Sequence, residues 1–262
     1  ITVIYVLQNY FAFLITIDKF RQKYIILEKE IKMEFLKKNF DDFNIYARII
    51  PALIIGLPTY VYIVITGIID FNIMEIVRNS IISVLLISIY YRVIRNLGKR
   101  CEKKMYDKLG NKPTTIVLRY SDNNFDEITK TRYHKKLNEK IDGLKLPTKR
   151  EKETMESDIL YESAINWLRN YANSNREKEY RVYQELKDYN FWRNLYGGKW
   201  ILIISCIIFI IIELLKKNYE NNIIIIMMIG IAIFSTLFIT KKTVEDKAFD
   251  YAKTLLEVCE RL

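Results

Sequence analysis

Three short runs set cations, hydroxyls and aromatic rings beside one another: Arg119-Tyr120-Ser121-Asp122, Thr129-Lys130-Thr131-Arg132-Tyr133-His134 and Tyr189-Asn190-Phe191-Trp192-Arg193-Asn194. Cations neutralise phosphates and rings stack on bases, so this mixture suits an anionic nucleotide or oligonucleotide. The candidate ligand contacts from these runs are Arg119, Asp122, Lys130, Arg132, Tyr133, His134, Arg193 and Asn194. A plainer reading of the third run stands beside that one: Phe191 and Trp192 anchor a membrane interface while the cations meet phospholipid headgroups. Catalysis has less to build on. His134 is the single histidine, with no serine, cysteine or acid at a diagnostic spacing, and there is no Walker loop or nucleophile elbow. Cys101, Cys206 and Cys259 form no CxxC pair, so neither a zinc site nor a disulfide framework follows. The expectation is a binding protein rather than an enzyme, with no metal and no cofactor.

The elements that position these runs follow from how charge is segregated. Charge gathers in residues 18–48, 95–199 and 241–262, whereas Ile49–Ile69, Trp200–Leu215 and Ile223–Thr240 are almost free of it. A helix needs about 20 apolar residues to cross the hydrocarbon, because unpaired backbone groups cannot be left in lipid. Ile49–Ile69 meets this, with Pro51 and Pro58 seven apart on one face. Ile73–Ile94 is a second span, with Arg78 and Arg92 near its ends where long side chains can snorkel. Trp200–Leu215 and Ile223–Thr240 form a second hairpin across the polar turn Lys216–Asn222. A soluble protein with all-apolar core helices is the alternative, and it would need many polar helices to cover them.

The predicted fold class is an integral membrane protein dominated by α-helix: two transmembrane hairpins, 47–94 and 200–240, around a mostly helical cytoplasmic domain, 95–199. An interfacial amphipathic segment, 1–46, precedes them, and an amphipathic helix, 241–262, follows. Basic residues flank the spans at Lys37, Lys38, Arg48, Arg95, Lys99, Arg100, Lys241 and Lys242, and the loop from Asp70 to Glu75 has none. The positive-inside rule then puts both termini and the middle domain in the cytoplasm. Lys216 and Lys217 in the second hairpin depart from that rule. Ile1–Ile17 reads as an interfacial stretch, as residues upstream of a start near Met33, or as a fifth span.

Within 95–199, 24 Lys+Arg stand against 16 Asp+Glu, a net of +8 out of the chain's +10. Acidic lipid, the ordinary inside bias and an anionic ligand all account for such charge. Gly110 and Pro113 predict the end of a helix continuing from the second span. Thr114–Tyr120 is β-branched enough for a short strand, and Phe125–Ile141 returns to helix. Thr148-x-x-Glu151 fits a capping box for a long helix whose buried stripe is Ile159, Leu160, Ala164, Trp167 and Leu168. A further helix over Glu177–Leu195 leads to the third span after Gly197-Gly198. In the tail, Val244, Ala248, Ala252, Leu255 and Leu262 share one side.

At the first span the chain reads Phe43-Asn44-Ile45-Tyr46-Ala47-Arg48-Ile49-Ile50-Pro51-Ala52. This resembles a family of bacterial four-helix membrane proteins with the pattern aromatic-Asn-aromatic-x-Ala-Arg-x-x-Pro-Ala. The resemblance continues through Pro113-Thr114-Thr115, Leu118–Asp122, Thr129–His134, Pro147-Thr148, Trp167-Leu168-Arg169 and Tyr189–Leu195, covering about Phe40 to Thr240. Phe191 and Trp192 depart from it, standing where the pattern has tyrosine and glycine. The family is similar to the membrane effectors of anti-phage signalling, Hailong among them, in which a nucleotidyltransferase makes an oligonucleotide that opens an oligomeric channel. The resemblance adds Arg169 to the ligand contacts. It also implies a homo-oligomer, with four subunits as the expectation, in the bacterial inner membrane. Polar positions inside the spans, Thr59, Thr66, Ser80, Ser83, Ser88, Ser235 and Thr236, are candidates for lining a pore, although small polar residues also mediate helix packing. The competing expectation is a scaffold without a pore, its basic domain held on anionic headgroups.

Overall fold

The computed structural model describes the backbone of residues 41–67, 73–151, 153–216 and 222–262, and the side chains of these except 73–88. The expectations for Ile1–Ile17 and for a helix over Phe20–Phe35 lie outside the described residues. Helix is the dominant structure, and no strand occurs among the described residues. The helices are α1 (Asp42–Thr66), α2 (Ile73–Leu109), α3 (Pro113–Leu118), α4 (Glu127–Lys140), α5 (Met155–Ser174), α6 (Tyr180–Lys216), α7 (Asn222–Phe238) and α8 (Lys241–Glu257). Two of them, α1 and α6, are long and apolar enough to cross a membrane, and α7 reaches that length only when joined to α8 across a 45° bend.

The chain divides into two compact units, one holding the described residues up to Ile94 with Gly198–Phe238, the other Arg95–Gly197 with Ile239–Leu262. In the apolar unit α1 starts at Asp41, whose side chain accepts from the Asn44 N–H at 2.7 Å, and ends at Gly67 in the left-handed region. Its first turns widen to a π-helix over Ile45–Ile49, just before Pro51, which has no N–H to give to the ladder. Pro51 and Pro58 are both buried on the face they share. Ala52, Ile55, Val61, Leu202, Cys206, Ile224 and Met228 fill the interior. Ile204, Ile208, Ile211 and Leu215 of α6, with Ile226, Phe234, Leu237 and Phe238 of α7, face outward.

The core of the charged unit is built on Val117, Leu118, Leu137, Tyr161, Ile165, Leu168, Ala252 and Leu255. In α8, Val244, Ala248, Ala252 and Leu255 are buried, and the helix packs on α3 and α5. Helix α2 ends where Gly110 takes φ +84°.

Three local expectations need correction. Thr114–Tyr120 is not a strand: Pro113 presets helical φ in the first turn of α3, and Thr114, Thr115, Val117 and Leu118 are buried in the same segment. Burial against α5 and α8 outweighs the β-propensity of its branched residues. The box at Thr148 does not start a helix either. Glu151 does accept from the Thr148 N–H at 2.8 Å, but only within a turn, and α5 begins after a second box in which Thr154 and Ser157 cap one another. Its buried stripe is accordingly Tyr161, Ala164, Ile165, Leu168 and Ala172, with Ile159 69 % exposed.

Finally, Gly197-Gly198 does not interrupt the path to the third span, since α6 runs unbroken through both. The reason is a close helix approach. A Cβ on Gly98 of α2 would lie 2.7 Å from Asn194 Oδ1, and one on Gly197 would run into the backbone of Gly98. Only glycine lets the two backbones meet there.

Candidate functional site

The structure sorts all of the predicted contacts but Arg132 into two places, both in the charged unit. The first is a sealed knot joining α3, α4 and α5. Lys130 is only 2 % exposed, and its Nζ donates to the Arg119 carbonyl at 2.8 Å and to the Asp122 carbonyl. Burial lowers its pKa, and the charges of Asp122, Glu153 and Asp126 oppose that fall. Arg119 forks onto Asp158, with Nε and Nη2 at 2.9 and 2.6 Å from the two carboxylate oxygens. The Asp122 carboxylate turns back on its own loop, accepting from the Asn124 N–H at 2.8 Å.

His134 is buried in the same knot. Nε2 stands 2.8 Å from the Leu118 carbonyl and Nδ1 3.3 Å from that of Pro147, while the rings of Tyr120 and Tyr161 pack around it. Burial pulls its pKa below the ordinary value. Tyr133 is equally enclosed, edge-on to Phe125. Glu153 closes the knot by accepting from the Tyr120 N–H at 2.6 Å and from the Ser121 hydroxyl. These side chains hold three helices together. Arg132 lies apart from them, on the exposed face of α4, paired with Glu260 at 2.5 Å.

The second place is a cavity of about 370 Å³ bounded by α2, α3, α5, α6 and α8. That volume falls in the range of small-molecule sites. Arg169 and Arg193 reach it from the sequence-predicted set, and Glu102, Tyr106, Arg176, Tyr183 and Tyr251 join them without having been predicted. Its electrostatics are lopsided. Of the four lining cations, Arg193 is paired with Glu102 at 3.1 Å and Lys112 with Glu162 at 3.1 Å. The other lining carboxylate, Glu179, is taken by Arg261, whose Nε donates at 2.9 Å. Arg169 and Arg176 have no carboxylate in ion-pair distance among the described residues.

Arg169 Nη2 donates to Thr114 Oγ1 at 3.2 Å, and its buried Nε has no hydrogen-bond partner among the described residues. Arg176 lies flat over the Tyr183 ring, 3.4 Å from the centroid. The floor is a network centred on Glu102 Oε1, which accepts from Tyr189 at 2.5 Å, Tyr106 at 3.2 Å and Arg193 at 3.1 Å. Burial first, and then the neighbouring charge, raises the pKa of both tyrosines well above the ordinary 10, so they remain donors. Asn194 backs this floor: it is 1 % exposed and its Oδ1 accepts from Arg193.

Cations in excess of anions, rings of Tyr183 and Tyr251, and an orphaned guanidinium N–H give the cavity a chemistry complementary to anionic groups carried on a flat or apolar body.

In the apolar unit, the pore-lining candidates spend their hydroxyls on their own helices. Thr66, Ser235 and Thr236 donate to the carbonyls of Tyr62, Ile231 and Ala232 at 2.7, 2.7 and 2.8 Å, and Thr59 is exposed. The side chains of Ser80, Ser83 and Ser88 lie outside the described ones. The polar cluster that the sequence did not single out is Tyr62, Glu213 and Lys216. The Tyr62 hydroxyl donates to Glu213 Oε1 at 2.9 Å, Lys216 donates to the same oxygen at 2.8 Å, and the carboxylate is buried. Set against family models, characterised proteins and solved structures, the chain matches none of them.

Proposed function

We propose that the chain is a multi-pass, oligomeric membrane effector whose arginine-lined cavity receives an anionic ligand of the nucleotide class, and that occupancy changes conduction through the membrane. One observation carries the reading. Arg169 and Arg176 stand around a 370 Å³ cavity with no carboxylate partner among the described residues, next to a third arginine held by Glu102. Arg169, half-buried and without counter-charge, carries a desolvation cost that an arriving phosphate removes, and the exposed Arg176 adds a second cation at the rim.

Two features tie the cavity to the bilayer. Its floor is made by α2 and α6, and each is a single unbroken helix that continues into an apolar stretch, Ile73–Ile94 in one case and Gly198 onward in the other. A shift at Glu102 or Arg193 is therefore carried along a continuous rod. The outward faces of α6 and α7 carry exposed Ile, Leu and Phe side chains, a composition suited to lipid. The two hairpins, cytoplasmic termini and cytoplasmic charged unit follow from the distribution of Lys and Arg. The resemblance at Phe43–Ala52 and along the charged unit supports a place in bacterial anti-phage signalling, with a nucleotidyltransferase as the source of the ligand.

The test is current recording across planar bilayers holding the full chain, with and without added nucleotides, for the wild type and Arg169→Ala. A nucleotide-dependent conductance that Arg169→Ala loses supports the proposal. Unaltered conductance, with no nucleotide bound and with salt-sensitive attachment to acidic vesicles, would leave the scaffold reading in its place.

A further inference from the structure

We infer that Glu102 is a built-in stand-in for the ligand: its carboxylate engages Arg193 at the cavity floor, and a ligand with at least two anionic groups binds by taking Arg193 from it. The inference rests on the reading above and adds how the site is regulated.

The geometry gives the cavity two classes of cation. Arg169 and Arg176 are without a carboxylate among the described residues and can meet a first anionic group directly. Arg193 differs, being 7 % exposed and already engaged at 3.1 Å by Glu102. One carboxylate oxygen, Oε1, accepts from Arg193, Tyr189 and Tyr106 together. These are the contacts a phosphate oxygen would make in the same position: one guanidinium and two phenol donors.

The contact also joins two helices. Glu102 and Tyr106 belong to α2, whereas Tyr189 and Arg193 belong to α6. Below it, Gly98 and Gly197 keep the two backbones in close contact, so that the Glu102–Arg193 pair sits beside a crossing with no side chain to cushion it. A ligand anion accepted by Arg193 and Tyr189 replaces an α2–α6 bond with an α6–ligand bond. A single anion satisfies Arg169 or Arg176 and leaves this clasp shut. Opening it takes a second anion on the same molecule, which favours a diphosphate, a triphosphate or a phosphodiester chain over a monoanion.

The experiment measures equilibrium binding of ATP, inorganic pyrophosphate and inorganic phosphate to the full chain in lipid nanodiscs. For Glu102→Gln, which keeps the shape and removes the competing charge, affinity for ATP and pyrophosphate should rise on the order of tenfold, a coupling usual for linked sites. The double variant Glu102→Gln with Arg193→Gln should lose that gain. Glu102→Ala, which removes the competing carboxylate altogether and leaves Arg193, Tyr189 and Tyr106 free to meet the anion, should shift affinity in the same direction and serves if Glu102→Gln does not fold. Equal or weaker binding by Glu102→Gln, with binding still lost in Arg169→Ala, overturns the stand-in and leaves the proposed function intact. Inorganic phosphate binding as tightly as pyrophosphate overturns the two-anion requirement. No binding of any probe by the wild type overturns both this inference and the reading beneath it.

Discussion

The knot around Lys130 and the cavity around Arg169 are made of the same residue types, and they differ in whether each cation has been given a partner inside the protein. In the knot, Lys130 donates to two backbone carbonyls and Arg119 is forked onto Asp158. Around the cavity, Arg169 meets neutral hydroxyls, that of Thr114 at 3.2 Å and that of Tyr251, and its buried Nε has no hydrogen bond among the described residues. A buried cation with a full set of internal acceptors is part of the scaffold. One left short of acceptors beside open space is prepared for something that arrives from outside.

The contrast is broken most directly by exchanging stability for binding. Lys130→Met leaves the carbonyls of Arg119 and Asp122 buried without a donor, so we expect the charged unit to lose about 3 kcal/mol. A thermal melt of the purified protein in detergent measures this. A melting temperature unchanged from wild type would mean the knot is not structural. Arg169→Ala should behave in the opposite manner. Melting should barely move, because Arg169 is half-buried and bonded only weakly, while affinity for a nucleotide probe falls roughly thirtyfold, as for the loss of one charge-assisted hydrogen bond. Both losses appearing together in either variant would erase the distinction between the two sites.

The helical character was legible because apolar runs and helical spacing report the same thing in any environment: Val244, Ala248, Ala252 and Leu255 are buried in the register their spacing predicts. The end of α2 was legible too, since Gly110 must take the left-handed region that most residues avoid. What escaped was whatever depends on a distant partner. Thr114–Leu118 carries strand-like residues, and only the neighbouring α5 and α8 make helix the better way to bury them. Gly197-Gly198 looks like a break until Gly98 of α2 is placed against it.

The binding site shows the same limit. Arg169 and Arg193 were named, but Glu102, Tyr106, Arg176, Tyr183 and Tyr251 come from separate stretches with no motif to join them. The knot deceived for the mirror-image reason. Its cations sit in dense polar runs, and the carboxylate onto which Arg119 forks, Asp158, lies 39 positions along the chain.

A milder way to separate the sites is pH. His134 has its pKa lowered by burial, with bonds to the Leu118 and Pro147 carbonyls and Glu153 opposing that fall while Lys130 adds to it. Unfolded histidine titrates at the ordinary 6.5, so below that value the unfolded chain binds more protons than the folded one. The stability this group contributes is thus fully present above pH 6.5 and is lost as pH falls through the lower folded value. Chemical denaturation between pH 7.5 and about 5 should show the wild type weakening, with His134→Gln giving a flatter profile. Equal slopes for the two proteins would remove His134 from the account.

The smallest expected effect belongs to Arg132, one of the ligand contacts that the sequence offers. Arg132 sits amid Thr129–His134, yet its guanidinium points outward to Glu260, and the two side chains are 49 % and 38 % exposed. Exposed pairs of this kind gain little, because water competes for both charges and two long side chains must be held still. Arg132→Ala should therefore cost less than about 1 kcal/mol of stability and leave nucleotide binding unchanged. Calorimetric titration of Arg132→Ala beside Arg169→Ala makes the comparison within one experiment. Should Arg132→Ala prove the variant that cannot bind, the ligand would dock on the outer face of α4, and the cavity would be left as an unfilled gap between helices.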